Sequence, residues 1–513
     1  MGAISLLLTL DEVENKQFEF GGGIMIKNNE LTKNLIKTSS ELNEKVNGDY
    51  YRLKYHLMPS VGFLNDPNGF IQFNGEYHLF YQFNPLYPKD KRVCWAHVKS
   101  PDLVHWSMLP TALYPSEWYE THGCYSGCAV NNNGEFTLIY TGNVKNKLGK
   151  RETYQCIAQS NDGENFVKYK NNPVISNAPE GYTTHFRDPK VWKHDGLWYM
   201  SLGTQTEKEE GVVLLYSSQD LLVWNKIGEI AGANTKKLNY LGYMWECPNL
   251  FKLDGKDILL FCPQGVEPNG DLYNNRYQCG YLLGKLNYKM GKLSYGDFTE
   301  LDRGFEFYAP QVSRDEKGRL LLVGWMGIPE EEDSPTVKNN WLHCLTIVRE
   351  LHLENDKIYQ NPVEEMKLLR TNETKYENVV INNEQIRLNN IYGDCFELVC
   401  DFSWENVLEF GIKLRCDDEE KQKTLLYYNT KEEKIILDRC KSGLSKTGVR
   451  KCKIVNRKKL SIRLFMDKSS LEIFINKGEE TFSSRIYPKE DSKNIFFYAQ
   501  GGIVNLNIKY WNI

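Results

Sequence analysis

The sequence lacks three features that mark whole classes of protein. It has no apolar run approaching the roughly 18 residues needed to cross a bilayer. Its 63 basic and 67 acidic side chains leave a net charge of −4, with no basic field for nucleic acid or anionic lipid. Its 13 cysteines form neither paired CxxC motifs nor a Cys/His cluster with zinc spacing. We therefore expect no membrane, nucleic-acid or metal partner, no disulfide framework, and a neutral small molecule as substrate.

The start of the chain also lacks the pattern of a secretory signal. Its only apolar run, residues 3–10, is short, follows no Lys or Arg, and precedes acidic residues instead of a small-residue cleavage site. Together with the unpaired cysteines, this predicts a cytoplasmic protein. Residues 1–48 are polar and Asn-rich, and we expect a weakly structured N-terminal extension without a catalytic role.

One hairpin pattern recurs five times over residues 49–355. Each copy has a β-rich run, a tight turn ending in glycine and a second β-rich run, and the turn glycines are Gly75, Gly134, Gly196, Gly255 and Gly318. Four of the five turns are Asn-Gly or Asp-Gly, which favour the positive φ of a two-residue hairpin loop. An interval of about sixty residues holds the four strands of a propeller blade. The sequence therefore predicts a five-bladed β-propeller over residues 49–355.

The C-terminal part of the chain, residues 356–513, has a different pattern. After a linker rich in Lys and Glu, seven short runs alternate in hydrophobicity between turn residues: 396–404, 408–416, 423–429, 434–440, 460–467, 470–476 and 494–500. Several short strands separated by turns are typical of an antiparallel β-sandwich. The predicted fold class is therefore all-β, with a propeller followed by a sandwich.

Three acidic residues occupy matched positions in their blades. Asp66, Asp188 and Glu246 lie 9, 8 and 9 residues before Gly75, Gly196 and Gly255. A lone Asp-Pro is usually an ordinary turn, but equivalent positions on different blades meet around one propeller axis. The spacing predicts a single axial pocket that contains all three acids.

The types of acid in this pocket fit the hydrolysis of a glycosidic bond with retention. That reaction uses two carboxyl groups about 5 to 5.5 Å apart, one as nucleophile and one as general acid and base. Asp66, within NDPNG (65–69), lies on a backbone path restricted by Pro and Gly, which suits a nucleophile. The longer Glu246 suits the acid, and we expect burial and the neighbouring Asp66 charge to raise its pKa.

The remaining candidates in the pocket bind rather than react. Asp188 would accept hydrogen bonds from sugar hydroxyls and stabilise positive charge on the ring. Arg187 would hold a carboxylate or hydroxyl, with a structural salt bridge as the alternative. Aromatic residues near the acids would pack on the sugar or simply within the blades: Phe83, Trp95, Tyr125, Trp245 and Tyr308.

The motifs around these acids resemble glycoside hydrolase family 32. The resemblance runs from residue 56 to the C-terminus and rests on HLMPSVGFLNDPNGFIQFNGEYHLFYQFNP (56–85), FRDP (186–189), ECP (246–248), YSG (125–127), YAPQ (308–311) and DKSSLEIF (467–474). It implies a retaining β-fructofuranosidase with Asp66 as nucleophile, Asp188 as stabiliser and Glu246 as acid/base. It also implies a propeller followed by a sandwich, no metal or organic cofactor, and a fructose subsite lined by Asn65, Gln82, Trp95, Ser126 and Arg187.

Four residues depart from the family pattern: Ala96 and Val348 stand where Gly and Pro are usual, and the other two are Cys128 and Pro310. Several alternatives also remain at this point. Cys128 replaces a usual Ser, and either weakens fructose binding or faces the blade interior; Pro310 occupies a position that is normally small. The favoured substrates are sucrose and sucrose 6-phosphate. The alternatives are a fructan exohydrolase or fructosyltransferase of the same family, a related pentose-releasing hydrolase, and a sugar-binding propeller without catalysis. A homodimer is compatible with the resemblance.

Overall fold

The protein is described from a computed structural model that covers residues 42, 44–87, 92–330, 334–444, 447–455 and 458–513. Most of the predicted N-terminal extension, residues 1–48, lies outside these residues. In the described part, residues 44–47 form a helical turn, and no helix there is long and apolar enough to cross a bilayer. Three short 3-10 helices span Trp118–Glu120, Val337–Asn339 and Glu364–Leu369.

The first two thirds of the chain form five antiparallel sheets that follow one another in sequence. The first contains β1 (Gly62–Phe73), β2 (Glu76–Asn84), β3 (Cys94–Ser100) and β4 (Ser107–Leu113), and the second β5 (Cys124–Asn132), β6 (Glu135–Lys145), β7 (Arg151–Ser160) and β8 (Val167–Lys168). The third contains β9 (Tyr182–His194), β10 (Leu197–Thr206), β11 (Gly211–Ser218) and β12 (Asn225–Gly232).

The fourth and fifth sheets repeat this order with small additions. The fourth contains β13 (Met244–Leu253), β14 (Lys256–Gln264), β15 (Gly280–Asn287) and β16 (Lys292–Tyr295), with β17 (Thr299–Glu300) paired to β15. The fifth begins with β18 (Tyr308–Arg314) and β19 (Leu320–Met326). Next come β20 (Trp341–Leu342), which joins the first sheet, β21 (Cys344–Leu345) on β19, and finally β22 (Arg349–Glu354) and β23 (Lys357–Pro362).

The first strands of the five sheets form a closed ring. Each of β1, β5, β9, β13 and β18 packs against its two neighbours, and β18 packs against β1. The ring is completed by β20, which pairs in parallel with Gly62 and Phe63 of β1. Five sheets of four or five strands around one axis confirm the predicted five-bladed propeller.

The hairpin turns at the outer ends of these first strands explain the repeat in the sequence. In the first blade Phe73 pairs with Glu76, and Asn74 and Gly75 between them have φ values of 51° and 84°. The second, third and fourth blades have the same two-residue loop with positive φ at both positions. The fifth loop is longer, which agrees with the absence of an Asn-Gly or Asp-Gly pair there.

The rest of the chain forms two six-stranded sheets packed face to face. The strands are β24 (Thr371–Asn382), β25 (Gln385–Ile386), β26 (Cys395–Trp404), β27 (Glu409–Cys416), β28 (Lys423–Asn429), β29 (Lys434–Lys441), β30 (Val449–Lys453), β31 (Lys459–Asp467), β32 (Ser470–Ile475), β33 (Glu480–Arg485), β34 (Asn494–Gln500) and β35 (Ile503–Asn512). The orders are β24-β35-β26-β31-β32-β33 and β25-β34-β27-β28-β29-β30, around one apolar core. This confirms the all-β propeller-plus-sandwich fold class.

The fifth blade extends past residue 355, the predicted end of the propeller domain. Residue 355 lies in the turn between β22 and β23, and the blade continues to Pro362. The first strand of the sandwich begins at Thr371.

A buried cluster of charged side chains connects the propeller to the sandwich. His56, which precedes β1, places Nδ1 2.9 Å from Asp467 and Nε2 2.9 Å from Glu472, both of which belong to the sandwich. Arg349 of the fifth blade donates to Glu472 at 2.6 Å and to Asp302 at 3.0 Å. These side chains are almost completely buried, so each charge depends on its partners for stabilisation.

Candidate active site

A β-bulge interrupts the first strand of every blade at the same level. The pairing with the second strand shifts between Leu64 and Pro67, Tyr125 and Gly127, Arg187 and Lys190, Glu246 and Asn249, and Tyr308 and Gln311. A bulge redirects side chains that a regular strand would point into the sheet. The five bulges therefore aim neighbouring residues at a common point on the axis.

The backbone at three of these bulges adopts a conformation that non-glycine residues rarely use. Asp188, Cys247 and Ala309 have φ values of 63°, 48° and 46°. A left-handed conformation at a non-glycine residue costs on the order of 1 kcal/mol or more and persists only where the surrounding structure enforces it. Three of the five bulges therefore hold a non-glycine residue in this conformation at the level of the acids.

The Asp66 carboxylate is fixed by a chain of hydrogen bonds. Its Oδ2 accepts from Ser126 Oγ at 2.5 Å and lies 3.6 Å from Cys247 Sγ, while its Oδ1 accepts from Asn65 Nδ2 at 3.1 Å. The Asn65 amide also donates to Gln82, and Gln82 Nε2 donates to Ser126 Oγ at 2.8 Å. The chain brings together three of the predicted fructose-subsite residues around the predicted nucleophile.

Glu246 is surrounded by hydrogen-bond donors. Arg187 donates from Nε at 3.0 Å and Nη2 at 2.6 Å to Oε1, and Oε2 accepts from Tyr308 Oη at 2.7 Å and Gln264 Nε2 at 2.6 Å. Arg187 also contacts His185 Nδ1 at 2.9 Å. Four donors to one carboxylate strongly favour its ionised form.

Asp188 is almost completely buried. Its Oδ2 accepts from the Cys247 backbone N–H at 3.0 Å and lies 3.9 Å from Arg187 Nε. Its own backbone N–H donates to Thr141 Oγ1 at 3.1 Å. The side chain is therefore oriented by blades 2 and 4, which flank its own blade.

The pKa values of the three acids differ in direction. Burial and the charge of Glu246 raise the pKa of Asp66 to about 6, against the opposing hydrogen bond from Ser126. Burial raises the pKa of Asp188 to about 7, against the opposing charge of Arg187. Burial would also raise the pKa of Glu246, but the charge and hydrogen bonds of Arg187, with Tyr308, hold it below its usual value. The expectation of a raised pKa for Glu246 is therefore wrong, because it considered only burial and Asp66.

Trp95 differs from the other predicted subsite residues in its environment. Its indole is fully buried against Phe80 and Tyr140, and its Nε1 donates to the Tyr125 carbonyl at 3.2 Å. Trp95 thus supports the bulge that carries Ser126 from behind. Trp245, which precedes Glu246 in the sequence, is also fully buried and stacks on Phe261.

The structure gives the placement of two of the departures from the family pattern, Cys128 and Pro310. Cys128 is fully buried within the blade and its Sγ accepts a hydrogen bond from the Val191 N–H at 3.2 Å, so it faces the blade interior. Pro310 lies in the bulge of the fifth blade, where its carbonyl accepts from Asn249 Nδ2 at 3.0 Å. Neither side chain replaces a hydrogen-bonding group of the three acids.

Sequence reasoning missed two residues that contact Glu246. Tyr308 was expected only to pack, although its position in the bulge of the fifth blade matched those of the acids and could have indicated a direct contact. Gln264 gave no such signal, because it is placed by pairing opposite Met244 at the end of β14.

Comparison with known families identifies the chain. The family model described as Glycosyl hydrolases family 32 N-terminal domain matches residues 56–362, and the model of the C-terminal domain of the same family matches residues 365–512. The chain belongs to glycoside hydrolase family 32. The resemblance drawn from the motifs is thereby confirmed over both domains of this family 32 protein.

Named relatives of this family 32 chain agree in activity and in structure. Sucrose-6-phosphate hydrolase of Bacillus subtilis is 41% identical over 479 residues, covering 91% of this chain and 95% of that protein. The structure of sucrose-6-phosphate hydrolase from Lactobacillus gasseri has a TM-score of 0.84 at 32% identity and covers 93% of this chain and 96% of that chain. A mutant of a Bombyx mori family 32 β-fructofuranosidase, in complex with sucrose, has a TM-score of 0.81 at 34% identity, covering 94% and 98% of the two chains. The chain is a glycoside hydrolase of the β-fructofuranosidase class with a sugar substrate, as predicted.

Proposed function

We propose that the protein hydrolyses the terminal β-D-fructofuranosyl bond of sucrose or sucrose 6-phosphate with retention, through a covalent fructosyl-Asp66 intermediate. The observation that carries this proposal is the grouping of Asp66, Asp188 and Glu246 on the bulges of three blades around one axis. Two carboxyl groups are what a retaining glycosidase requires, and the third binds the sugar. The named relatives act on the same class of sugar.

In the first step, Asp66 attacks the anomeric carbon of the fructosyl unit while Glu246 gives a proton to the leaving oxygen. Ser126 and Asn65 orient the carboxylate of Asp66 so that one oxygen lone pair is directed at the substrate. Asp188 stabilises the positive charge that develops on the ring. The leaving sugar departs with its oxygen protonated, and the fructosyl unit remains on Asp66 as an ester.

In the second step, the ionised Glu246 takes a proton from water, and the water oxygen attacks the anomeric carbon. The ester bond to Asp66 breaks and fructose is released, with Asp66 restored as a carboxylate and Glu246 as an acid. Transfer to a second sugar in place of water would follow the same intermediate. Fructan hydrolysis and fructosyl transfer are therefore the alternatives within the family.

The proton distribution limits how much of the enzyme is ready for the first step. That step needs a proton on Glu246 and a charge on Asp66, whereas the pKa directions favour the reverse. The reactive form is then a minor one, and its fraction depends on the donors around Glu246.

We also propose that the enzyme works in the cytoplasm, as a monomer or as a homodimer. All 13 cysteines are free thiols and 12 of them are buried, which suits a reducing compartment. Sedimentation of the purified protein over a range of concentrations would distinguish a monomer from a dimer.

The catalytic roles are tested by substitution and by the choice of substrate. Asp66→Ala should abolish turnover of sucrose, and Glu246→Ala should impair sucrose far more than a fructoside with an activated leaving group, because only sucrose needs the acid. Asp297→Ala, at an exposed carboxylate, is the matched control. Near-normal activity of the Asp66 variant, or equal losses on both substrates for the Glu246 variant, would refute the assignments.

The substrate itself is identified by measuring kcat/KM for sucrose, sucrose 6-phosphate and inulin side by side. Preference for either disaccharide supports the proposal. Preference for inulin would make the protein a fructan exohydrolase, and no release of fructose from any of the three would refute the proposed function.

A further inference from the structure

The connection between β6 and β7 of the second blade is strongly basic. The segment Lys145–Arg151 has the sequence KNKLGKR, with four cationic residues and no acidic one. Lys145 and Arg151 pair directly across the hairpin, so their side chains lie on the same face of the blade. None of the four cations forms a salt bridge within the described part of the chain.

The hairpin projects from the end of the propeller that carries the acids. Tyr125, which precedes Ser126 in the bulge, pairs with Thr141 of β6, and β6 then continues four residues further to Lys145. The turn at Gly134 lies at the opposite end of the same strands. The pairing therefore places the basic hairpin beyond the bulge, above the mouth of the site.

Arg151 is the cation of this hairpin that reaches furthest toward the acids. On its face of β7, Thr153 donates to the Thr184 carbonyl and Gln155 to the Phe186 carbonyl, so that face is turned toward the third blade. The guanidinium lies over the Tyr125 ring, 5.8 Å from its centroid. Arg151 is more than half buried and its pKa is lowered, first by burial and then by the charge of Arg187.

No acidic side chain in the described part of the chain forms a salt bridge with Arg151. Glu246 accepts from Arg187, and Glu152, next to Arg151 in sequence, accepts from Asn146 and Tyr154. Arg151 is nevertheless close enough to Glu246 to lower the pKa of that acid. A partly buried guanidinium without a counter-ion, on the side of the group that protonates the leaving oxygen, is suited to an anion carried by the leaving sugar.

We propose that Arg151, at the base of the basic β6–β7 hairpin, binds the phosphate of a phosphorylated leaving sugar and makes the enzyme prefer sucrose 6-phosphate to sucrose. This inference rests on the proposed function and adds the residue that sets its specificity. Arg151 offers a planar pair of N–H donors to phosphate, and the exposed lysines of the hairpin add a field that attracts the charged substrate.

The test compares two substrates in three variants. In Arg151→Gln, kcat/KM for sucrose 6-phosphate should fall about 10- to 100-fold, the loss of a charge-assisted contact, whereas kcat/KM for sucrose should change less than about threefold. Arg151→Lys should recover part of the lost activity. Lys193→Gln removes one charge at the opposite end of the neighbouring blade and should leave both substrates unchanged.

Product inhibition provides an independent readout of the same contact. Glucose 6-phosphate should inhibit the wild type more strongly than glucose, and Arg151→Gln should remove that difference. Equal losses on both substrates would show that Arg151 acts through Glu246 and not on phosphate, and no loss on either would also overturn the inference. In both cases the hydrolysis of sucrose by the wild type would leave the proposed function standing, whereas a wild type inactive on both sugars would refute that function itself.

Discussion

Tyr308→Phe gives the sharpest test of how the site controls its protons. The substitution removes one hydroxyl from a buried ring and deletes the 2.7 Å hydrogen bond to Oε2 of Glu246, leaving the donors from Arg187 and Gln264 in place. A hydrogen bond to an ionised group contributes about 1.5 to 3 kcal/mol. At about 1.4 kcal/mol per pKa unit, its loss should raise the pKa of Glu246 by about one to two units.

The position of this shift in the pH profile follows from the order of the two pKa values. The profile of kcat/KM reports the free enzyme, and Glu246 titrates below Asp66, whose pKa is about 6. Of these two acids, Glu246 therefore titrates on the acid limb and Asp66 on the alkaline limb, and the ionisation of Asp188, whose pKa is about 7, is common to the wild type and the variant. Tyr308→Phe should move the acid limb upward by about one to two pH units and leave the alkaline limb in place.

The assay is kcat/KM for sucrose between about pH 3 and pH 9. Tyr498→Phe is the matched control, because it deletes a tyrosine hydrogen bond to Glu409 in the sandwich, far from the site. An unmoved acid limb would mean that Tyr308 does not stabilise the charge of Glu246. Movement of the alkaline limb instead would mean that Glu246 has a higher pKa than Asp66. The form with protonated Glu246 and ionised Asp66 would then not be a minor one.

Two further predictions concern the cluster that joins the domains. Burial lowers the pKa of His56, but the hydrogen bonds to Asp467 and Glu472 outweigh burial and raise this pKa to about 9. The stabilising contribution of protonated His56 is therefore complete below about pH 6.5 and is lost as the pH rises through 9. The midpoint of thermal unfolding should therefore fall between pH 7 and pH 10 more steeply in the wild type than in His56→Gln, and parallel curves would contradict this reading. Arg349→Ala should lower the free energy of unfolding by about 3 to 5 kcal/mol, because it leaves the buried Asp302 without a cation and removes one of the two cations that pair with Glu472. In denaturant titrations Lys375→Ala, at an exposed pair, should match the wild type, and an equally small effect of Arg349→Ala would refute the role of this cluster.

The propeller was predictable because its signals are local. An Asn-Gly or Asp-Gly pair determines a two-residue loop, so Gly75 and Gly196 mark their hairpins without reference to the rest of the chain. The matched spacing of Asp66 and Glu246 from such turns then gave their common level in the blades. In the sandwich the seven predicted strands are present, but five were missed: β25, β30 and β33 are short and β24 is mostly polar, whereas β35 alternates between apolar and polar residues and could have been recognised.

The protonation of the site was not predictable in the same way. The pKa of Glu246 depends on Arg187 from the third blade and Tyr308 from the fifth, which meet it only after the ring closes. The sequence indicated burial and a neighbouring carboxylate, and both raise a pKa. The donors that reverse the direction come from other blades, so no spacing along the chain reveals them.

The shared bulge has a consequence for how such a site can change. Each blade presents one residue from the same backbone device: Asp66, Ser126, Asp188, Glu246 and Tyr308. The backbone bulge is repeated in all five blades, and only the side chain that it presents to the pocket differs. A substitution at one bulge therefore alters the chemistry of the pocket while the other four bulges keep their pairing. The same scaffold can in this way accept a new substrate without a change of fold.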